Sequence, residues 1–185
     1  MAMGLLAHHL AERGMEARVH SAGTLGWGGP ATAHAVETLA ARGIDLSAHE
    51  SRRMSATDVD SADLVLGMTR DHVLGTLNRD PEARDRTFVI GELARLGRVH
   101  GPRRHGQSVR DWCTEVAATR PSGTSWARSI DEIADPVGEG LDVYRATADR
   151  LDALCAEIAA LLLPRGAHGE TVDIDAVDAV DAVDS

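Results

Sequence analysis

Cysteine is scarce in this 185-residue sequence, and long apolar runs and clusters of basic residues are absent. Its two cysteines, Cys113 and Cys155, are too few for a disulfide framework, so we expect a protein of the reducing cytoplasm. No stretch approaches the roughly 20 consecutive apolar residues that a transmembrane helix needs. Residues 1–14 lack the basic head, long apolar core and cleavage site of a secretory signal. We therefore expect neither a membrane partner nor a leader.

The overall charge is acidic, with a formal net charge of -10, and lysine is absent. Without a basic run, the sequence argues against nucleic acid as the main partner. Apolar residues make up 43% and charged residues 26%, a balance that is typical of a globular protein. The length of the chain matches one domain, which we place over residues 1–163.

The C-terminal segment 164–185 differs in composition from the rest of the chain. Residues 169–185 contain six acidic residues and no basic residue, and they end in an Asp-Ala-Val repeat. The segment has neither helical nor strand periodicity and little to bury, so we predict a disordered acidic tail. Two interpretations of the tail stay open, a solvated terminus and an acidic docking segment.

Strand-like and helix-like patterns alternate along the body of the chain. LVLGM at 64–68 is a continuous apolar run, as expected of a strand that is covered on both faces. Ser55 with Asp58 is typical of a capping box. The predicted elements, in chain order, are helix 2–13, strand 16–21, helix 30–43, strand 64–68, helix 69–78, strand 87–90, helix 108–118 and helix 144–162. This alternation predicts an α/β protein with a doubly wound parallel sheet.

Five segments, in order, carry a resemblance to a known family. They are SAGT at 21–24, Trp27, GIDLSAH at 43–49, ADLVLGMTRDH at 62–72, and the Asp135-Pro136 pair followed by Tyr144. Together they resemble the low-molecular-weight protein tyrosine phosphatases from residue 1 to about residue 163. The resemblance implies four parallel strands in the order 2-1-3-4. The polar segment 96–128 resembles a long insert found in one branch of that family.

The sequence departs from that family at its start. In the family, catalysis begins from a Cys-x5-Arg-Ser/Thr loop between the first strand and the first helix, and the sequence after this loop resembles MAEGLL. This chain begins MAMGLLAHHL, so we expect the loop and the first, interior strand to be missing. Strands 16–21 and 64–68 would then face a gap. They could pair with each other, or borrow a strand from a partner chain and form a homo-oligomer.

The resemblance implies roles for three residues. Asp135 matches the aspartate that protonates the leaving phenolate and then deprotonates the attacking water. Trp27 matches an aromatic wall of the substrate cleft, and His49 matches a histidine that hydrogen-bonds the phosphate loop from behind. Structural roles stay open for each: an Asp-Pro turn, a half-buried loop tryptophan and a core histidine. Val137 stands where the family often has an aromatic residue, which weakens the case for aromatic packing.

The remaining reactive residues are weaker candidates. Cys113 and Arg120 have a Cys-x6-Arg spacing, but helix-forming residues without glycine separate them, which disfavours a phosphate cradle. Cys155 lies on the apolar stripe of the last helix and is expected in the core. Metal-ligand spacing is lacking for the other candidates, His8, His9, His100 and His105. We therefore expect no metal and no cofactor.

Three functions stay open from the sequence. The first is an active phosphatase whose true start lies upstream and which hydrolyses phosphotyrosine or a small aryl phosphate through a phosphocysteine. The second is a catalytically inactive remnant with a binding or regulatory role. The third is a relative of the arsenate reductases, which share the fold and the nucleophile. For the segment 96–128 we consider a lid over the cleft.

Overall fold

The computed structural model describes residues 1–24, 28–121 and 127–163, and the backbone of 176–178. Its helices, in this part of the chain, are α1 (Ala2–Glu12), α2 (Ala33–Ala40), α3 (Ala56–Ser61), α4 (Arg70–Leu77), α5 (Ile90–His100), α6 (Val109–Ala117) and α7 (Leu141–Leu162). Its strands are β1 (Val19–Ser21), β2 (Gly29–Pro30), β3 (Glu50–Ser51), β4 (Val65–Gly67), β5 (Thr87–Val89) and β6 (Ala176–Asp178). Short 3-10 helices cover Pro81–Arg86 and Ser129–Asp131.

Two parallel strand pairs form the centre of the molecule. β4 pairs with β5, and β1 pairs with β6. Cα atoms of β6 also lie within 8 Å of Cα atoms of β4 and α1, so β6 lies between β1 and β4. The short β2 and β3 form a separate antiparallel pair. Parallel strands packed among helices confirm the predicted α/β class.

The tail contributes one strand to this arrangement. Residues 164–185 were expected to be disordered, and at 176–178 the structure differs, because these residues form β6. The rest of the tail lies outside the described residues. The physical reason for the difference is the exposed edge of β1, whose backbone groups need hydrogen-bond partners. Strand 16–21 therefore does not face an empty gap.

Local sequence signals account for most of the helices. Leu151, Cys155 and Ile158 are buried on one stripe of α7, and α1 packs its own buried leucines against this stripe. Thr69 accepts a hydrogen bond from the backbone of His72 and caps α4, as the sequence predicted. Across the described ranges, none of the helices has the length and apolarity that a bilayer crossing requires.

The described part of the segment 96–128 contributes several side chains to the core. Trp112 in α6 is completely buried, and its indole N–H donates to the carbonyl of Gly101 at 3.1 Å. A Cβ atom on Gly97 would lie 2.8 Å from Leu161 and 3.3 Å from Trp112, so α5 approaches its neighbours closely at this glycine. The segment therefore packs α6 against α5.

Asp58→Ala is expected to lower the free energy of unfolding by about 1 kcal/mol near neutral pH, the usual loss for a helix cap. Asp58 accepts hydrogen bonds from the backbone and the hydroxyl of Ser55, at 2.8 and 2.7 Å, and from Arg52 at 2.7 Å. Burial by itself raises the pKa of Asp58, but the hydrogen bonds from Arg52 and Ser55 outweigh it and lower the pKa to about 2.

Because the folded pKa lies below the ordinary 3.8, this stabilisation is present above pH 3.8 and is lost as the pH falls toward 2. Urea unfolding of both proteins across this range should therefore show the difference shrinking with acidification. The exposed Asp60 of the same helix provides the control, and Asp60→Ala should change stability by less than about 0.5 kcal/mol. A difference that stays constant with pH would contradict the assignment.

Candidate active site

A cavity of about 370 Å³ lies at the carboxyl ends of β1 and β4. Ser21, the last residue of β1, and Met68, which follows β4, both line it. Parallel α/β sheets bind ligands at this edge, because the loops that follow the strands converge there. The rest of the lining comes from the starts of α1, α2 and α4, from residues in the segments 46–51 and 133–137, and from α7.

The N-terminal end of α1 forms one side of the cavity. Met1, Ala2 and Met3 line the cavity, and in the described structure no side chain caps this end of the helix. The first N–H groups of a helix and its dipole favour an anion at such an end. This side of the cavity is therefore the part best suited to a phosphate group.

His49 lies in the wall of the same cavity and is half-buried. Burial lowers the pKa of its imidazole, and the positive charge of the N-terminal amino group lowers it further. The lowered pKa favours the uncharged ring near neutral pH, and an uncharged imidazole can donate one hydrogen bond and accept another. The expected contact of His49 with a phosphate loop stays a prediction.

Asp135 also lines the cavity, and its side chain is exposed. Its Oδ1 accepts a hydrogen bond from the backbone N–H of Val137 at 3.0 Å, which forms an Asx turn over the buried Pro136. The N–H of Ile133 donates to the carbonyl of Met68 at 2.9 Å and joins this segment to the end of β4. Asp135 therefore forms the Asp-Pro turn and also lines the cavity, where a carboxyl group is suited to acid–base chemistry.

Two ion pairs hold the segment that precedes Asp135. Arg70 donates to Glu132 through its backbone N–H at 2.9 Å and through its guanidinium at 3.0 and 3.3 Å, and these hydrogen bonds lower the pKa of Glu132. Burial raises the pKa of Asp131, but hydrogen bonds from Arg95 and the backbone of Arg128 outweigh it, so the pKa is lowered overall. Both carboxylates are therefore ionised at neutral pH and fix residues 131–132.

Gly91→Ala is expected to displace this segment and to lower the free energy of unfolding by about 1–3 kcal/mol. A Cβ atom at this position would lie 2.5 Å from the carbonyl oxygen of Asp131 and 2.7 Å from its Cα, and backbone atoms cannot rotate away. Amide chemical shifts of residues 131–137 should change together with the urea midpoint.

Gly75→Ala is the matched control, because the nearest atom there is a methyl carbon of Thr24 at 3.1 Å, and alanine favours the helix. We expect this control to change stability by less than about 1 kcal/mol and to leave the shifts of residues 131–137 in place. Equal losses of stability in the two variants would show that the position of Asp131 does not depend on the absence of a side chain at Gly91.

Two features of the cavity were not singled out from the sequence. Asp71, in the first turn of α4, lines the cavity and is exposed, although its segment was noted as a motif. Thr32 caps α2 and donates its hydroxyl hydrogen to the hydroxyl of the buried Tyr144 at 3.1 Å. The proximity of Thr32 to Tyr144 depends on helix packing, so no local pattern could have shown it.

Neither cysteine belongs to the cavity. Burial raises the pKa of the Cys113 thiol, and the nearby Asp63 raises it further. Arg120, considered above as its phosphate-binding partner, instead forms an ion pair with Glu92 at 3.0 Å. Cys155 is buried in α7 with its sulfur 3.8 Å from the carbonyl oxygen of Ala2. Low-pKa nucleophiles need exposure and positive surroundings, so neither thiol suits this role.

The predictions for Trp27 and for a lid formed by the segment 96–128 are not supported by the described residues. Trp27 lies outside the described residues, so its role as an aromatic wall stays a prediction. Among the described residues of the segment 96–128, none lines the cavity, which gives no support to a lid. Among the described residues, no three His, Cys, Asp or Glu side chains lie together in a way that could hold a metal ion.

The arrangement agrees with comparisons to known proteins. Residues 1–118 match the family model for low molecular weight phosphotyrosine protein phosphatases. The chain therefore belongs to this family of protein phosphatases. Two similar proteins are the protein-arginine-phosphatases of Bacillus subtilis, 31% identical over 83% of this chain and 81% of that protein, and of Geobacillus stearothermophilus, 31% identical over 73% and 69%.

Solved structures show the same fold. The YwlE arginine phosphatase with a phosphorylated active-site serine has a TM-score of 0.64 and 28% identity, covering 85% of this chain and 83% of that chain. The low molecular weight protein tyrosine phosphatase of T. tengcongensis has a TM-score of 0.61 and 27% identity, covering 85% and 86%. The chain thus has the α/β fold of this family.

Proposed function

We propose that this chain forms the acid–base side and the substrate cleft of a protein phosphatase that acts on phosphotyrosine through a cysteinyl-phosphate. The observation that supports this most strongly is the cavity itself, which is lined both by the N-terminal end of α1 and by Asp135. The helix end suits the phosphate, and the carboxyl group suits the leaving group.

The proposed reaction has two steps. A thiolate attacks phosphorus, the bond between phosphorus and the phenolic oxygen breaks, and Asp135 gives its proton to that oxygen. Water then attacks the phosphocysteine and transfers a proton to the Asp135 carboxylate, and the phosphorus–sulfur bond breaks to release inorganic phosphate. Asp135 is thereby returned to its acid form.

The thiolate has to come from a Cys-x5-Arg loop, and the sequence contains no such motif. Because Cys113 and Cys155 are both buried, we expect the chain alone to lack turnover. With the first strand and the Cys-x5-Arg-Ser loop of a family member joined before Met1, hereafter the extended form, we expect a complete site. A binding or regulatory role of the inactive chain is the alternative to catalysis.

Phosphoarginine is a second candidate substrate. Val137 provides no aromatic surface beside Asp135, and the exposed carboxylates of Asp71 and Asp135 both line the cavity, where they could accept hydrogen bonds from a guanidinium group. The relatives that are 31% identical are themselves named protein-arginine-phosphatases. In this case Asp135 would protonate the leaving nitrogen as the phosphorus–nitrogen bond breaks.

Phosphate release from matched phosphotyrosine and phosphoarginine peptides tests the proposal. We expect the extended form to hydrolyse one of them and the chain alone to release none. Turnover of p-nitrophenyl phosphate by the chain alone would exclude the inactive remnant and contradict the need for a loop. An extended form that folds but hydrolyses neither peptide would contradict the phosphatase proposal, and arsenate-dependent thiol oxidation would then favour the arsenate reductases.

A further inference from the structure

The carboxylate of Glu132 lies at the first turn of α4. It accepts a hydrogen bond at 2.9 Å from the backbone N–H of Arg70, the first residue of that helix. An N–H group at this position has no acceptor within its own helix, and the helix dipole favours a negative charge there. The N-cap residue Thr69 accepts from a different backbone group, the N–H of His72. Glu132 is therefore a second cap of α4, contributed by a distant segment of the chain.

The side chain of Arg70 holds the same carboxylate. Its Nε donates to Oε1 of Glu132 at 3.0 Å, and its Nη2 donates to Oε2 at 3.3 Å. Contact with both oxygens fixes the orientation of the carboxylate as well as its position. One residue further along, the N–H of Ile133 donates to the carbonyl of Met68 at 2.9 Å. Two consecutive residues are thus tied to the junction between β4 and α4.

The position of Asp135 depends on this attachment. Asp135 follows Glu132 by three residues, and a chain of this length spans at most about 10 Å. The hydrogen bond from the N–H of Val137 to Asp135 sets only the local shape of the turn. Among the described residues that line the cavity, neither Arg70 nor Glu132 occurs. The pair can therefore act on a substrate only through the residues that it holds.

We propose that Glu132 is a positioning residue for proton transfer by Asp135, and that it acts through its contacts with Arg70 at the start of α4. This inference rests on the proposed function, in which Asp135 is the general acid and base. Proton transfer requires the carboxyl group to lie within hydrogen-bond reach of the leaving atom. A displacement of about 1 Å can lower a rate by about 100-fold, so a fixed anchor close to Asp135 matters for turnover.

Glu132→Ala in the extended form is expected to lower kcat by about 10- to 100-fold, with little change in KM. Arg70→Met removes the guanidinium group but keeps the backbone N–H that donates to Glu132, so its loss should be smaller. The loss in Glu132→Ala should be larger with phenyl phosphate than with p-nitrophenyl phosphate. A displaced acid matters more for the leaving group that has the greater need of a proton.

Glu157→Ala is the matched control. Glu157 accepts two hydrogen bonds from the guanidinium of Arg98, at 2.8 and 2.6 Å, and its side chain is 26% exposed compared with 22% for Glu132. It is not among the described residues that line the cavity. We expect this variant to lose a similar amount of stability in urea or less, and to keep its kcat. A loss of kcat in Glu157→Ala equal to that in Glu132→Ala would overturn the proposal.

The double variant tests whether Glu132 acts through Asp135. Once Asp135→Asn has removed the proton, the addition of Glu132→Ala should lower kcat by less than about twofold further. Two losses that multiply in full would overturn the proposal. Full activity of Glu132→Ala beside an impaired Asp135→Asn would overturn this inference alone. An extended form without activity, or a fully active Asp135→Asn, would contradict the proposed function and this inference with it.

Amide hydrogen exchange tests the attachment in the natural chain, without turnover. Glu132→Ala should accelerate exchange at the N–H of the buried Ile133 by about tenfold or more, because the segment is released from α4. The amide resonance of Val137, which donates to Asp135, should shift as well. Glu157→Ala should do neither. Unchanged exchange and an unchanged shift in Glu132→Ala would overturn the positioning role.

Discussion

Asp135→Asn in the extended form is expected to lower kcat by about 10²–10⁴, the usual contribution of a general acid–base residue. Asparagine keeps the shape of the side chain and the oxygen that accepts from the N–H of Val137, but it cannot transfer a proton. KM should change little, because the phosphate group is proposed to bind at the N-terminal end of α1 and not at Asp135. Steady-state hydrolysis of phenyl phosphate and p-nitrophenyl phosphate measures both constants.

The leaving group provides a sharper measurement than the rate alone. Nitrophenolate leaves without protonation more readily than phenolate, so we expect a larger loss with phenyl phosphate. Asp142→Asn is the control, because this carboxylate is 99% exposed in the first turn of α7. An equal loss with both substrates would indicate that Asp135 positions the segment and does not transfer the proton.

Arg120→Met is expected to lower the free energy of unfolding by about 3–5 kcal/mol, the usual result of removing one partner of a buried ion pair. The guanidinium lies 3.0 Å from Glu92, whose side chain is completely buried. It also donates to the carbonyls of Arg84 and Thr87 and lies 4.3 Å from the centre of the Phe88 ring. Methionine preserves apolar contact with the ring but leaves a buried carboxylate.

The same variant should have a characteristic pH dependence. Burial raises the pKa of Glu92 and the charge of Arg120 opposes this, so loss of Arg120 should raise the pKa further. A carboxyl group whose folded pKa exceeds its ordinary value destabilises the fold at high pH and ceases to do so as it becomes protonated. The loss should therefore be larger at pH 7 than at pH 4.5, measured by urea unfolding.

Two further variants isolate the buried charge. Glu92→Gln added to Arg120→Met should recover part of the lost stability and remove the extra pH dependence. Arg104→Met breaks an ion pair with Glu115 at 2.7 Å in which the arginine is 66% exposed, and it should cost less than about 1 kcal/mol. Similar losses for Arg120→Met and Arg104→Met would contradict the argument from burial.

The sequence predicted most elements whose signals are local. The apolar stripe of α7, the continuous apolar run of β4 and the caps Ser55 and Thr69 all agree with the structure. These signals depend on residues three or four apart in a helix, on consecutive apolar residues in a buried strand, or on one polar side chain at the start of a helix. The helix predicted to begin at Pro30 instead begins at Ala33, because Thr32 caps α2 and Pro30 belongs to β2.

α5 was not predicted, since Gly91 and Gly97 weaken its helical pattern. Both glycines are explained by close contacts that only the fold creates, with the backbone of Asp131 and with Leu161 and Trp112. In the candidate site, too, one part could be predicted from the sequence and another part depends on the fold. Asp135 could be proposed from its motif, whereas the cavity that joins it to α1 and His49 depends on how the elements pack.

By itself the sequence determined the family and the order of the elements with strong local signals, among them α1, α4, α6, α7, β4 and β5, because these depend on neighbouring residues or on motifs. The tertiary structure alone decided that the Cys113 thiol is buried, that Arg120 is paired with Glu92, and that three residues of the tail form a strand beside β1. These outcomes depend on contacts between distant parts of the chain. Ion pairing and strand pairing follow from such contacts, and neither leaves a periodic pattern in the local sequence.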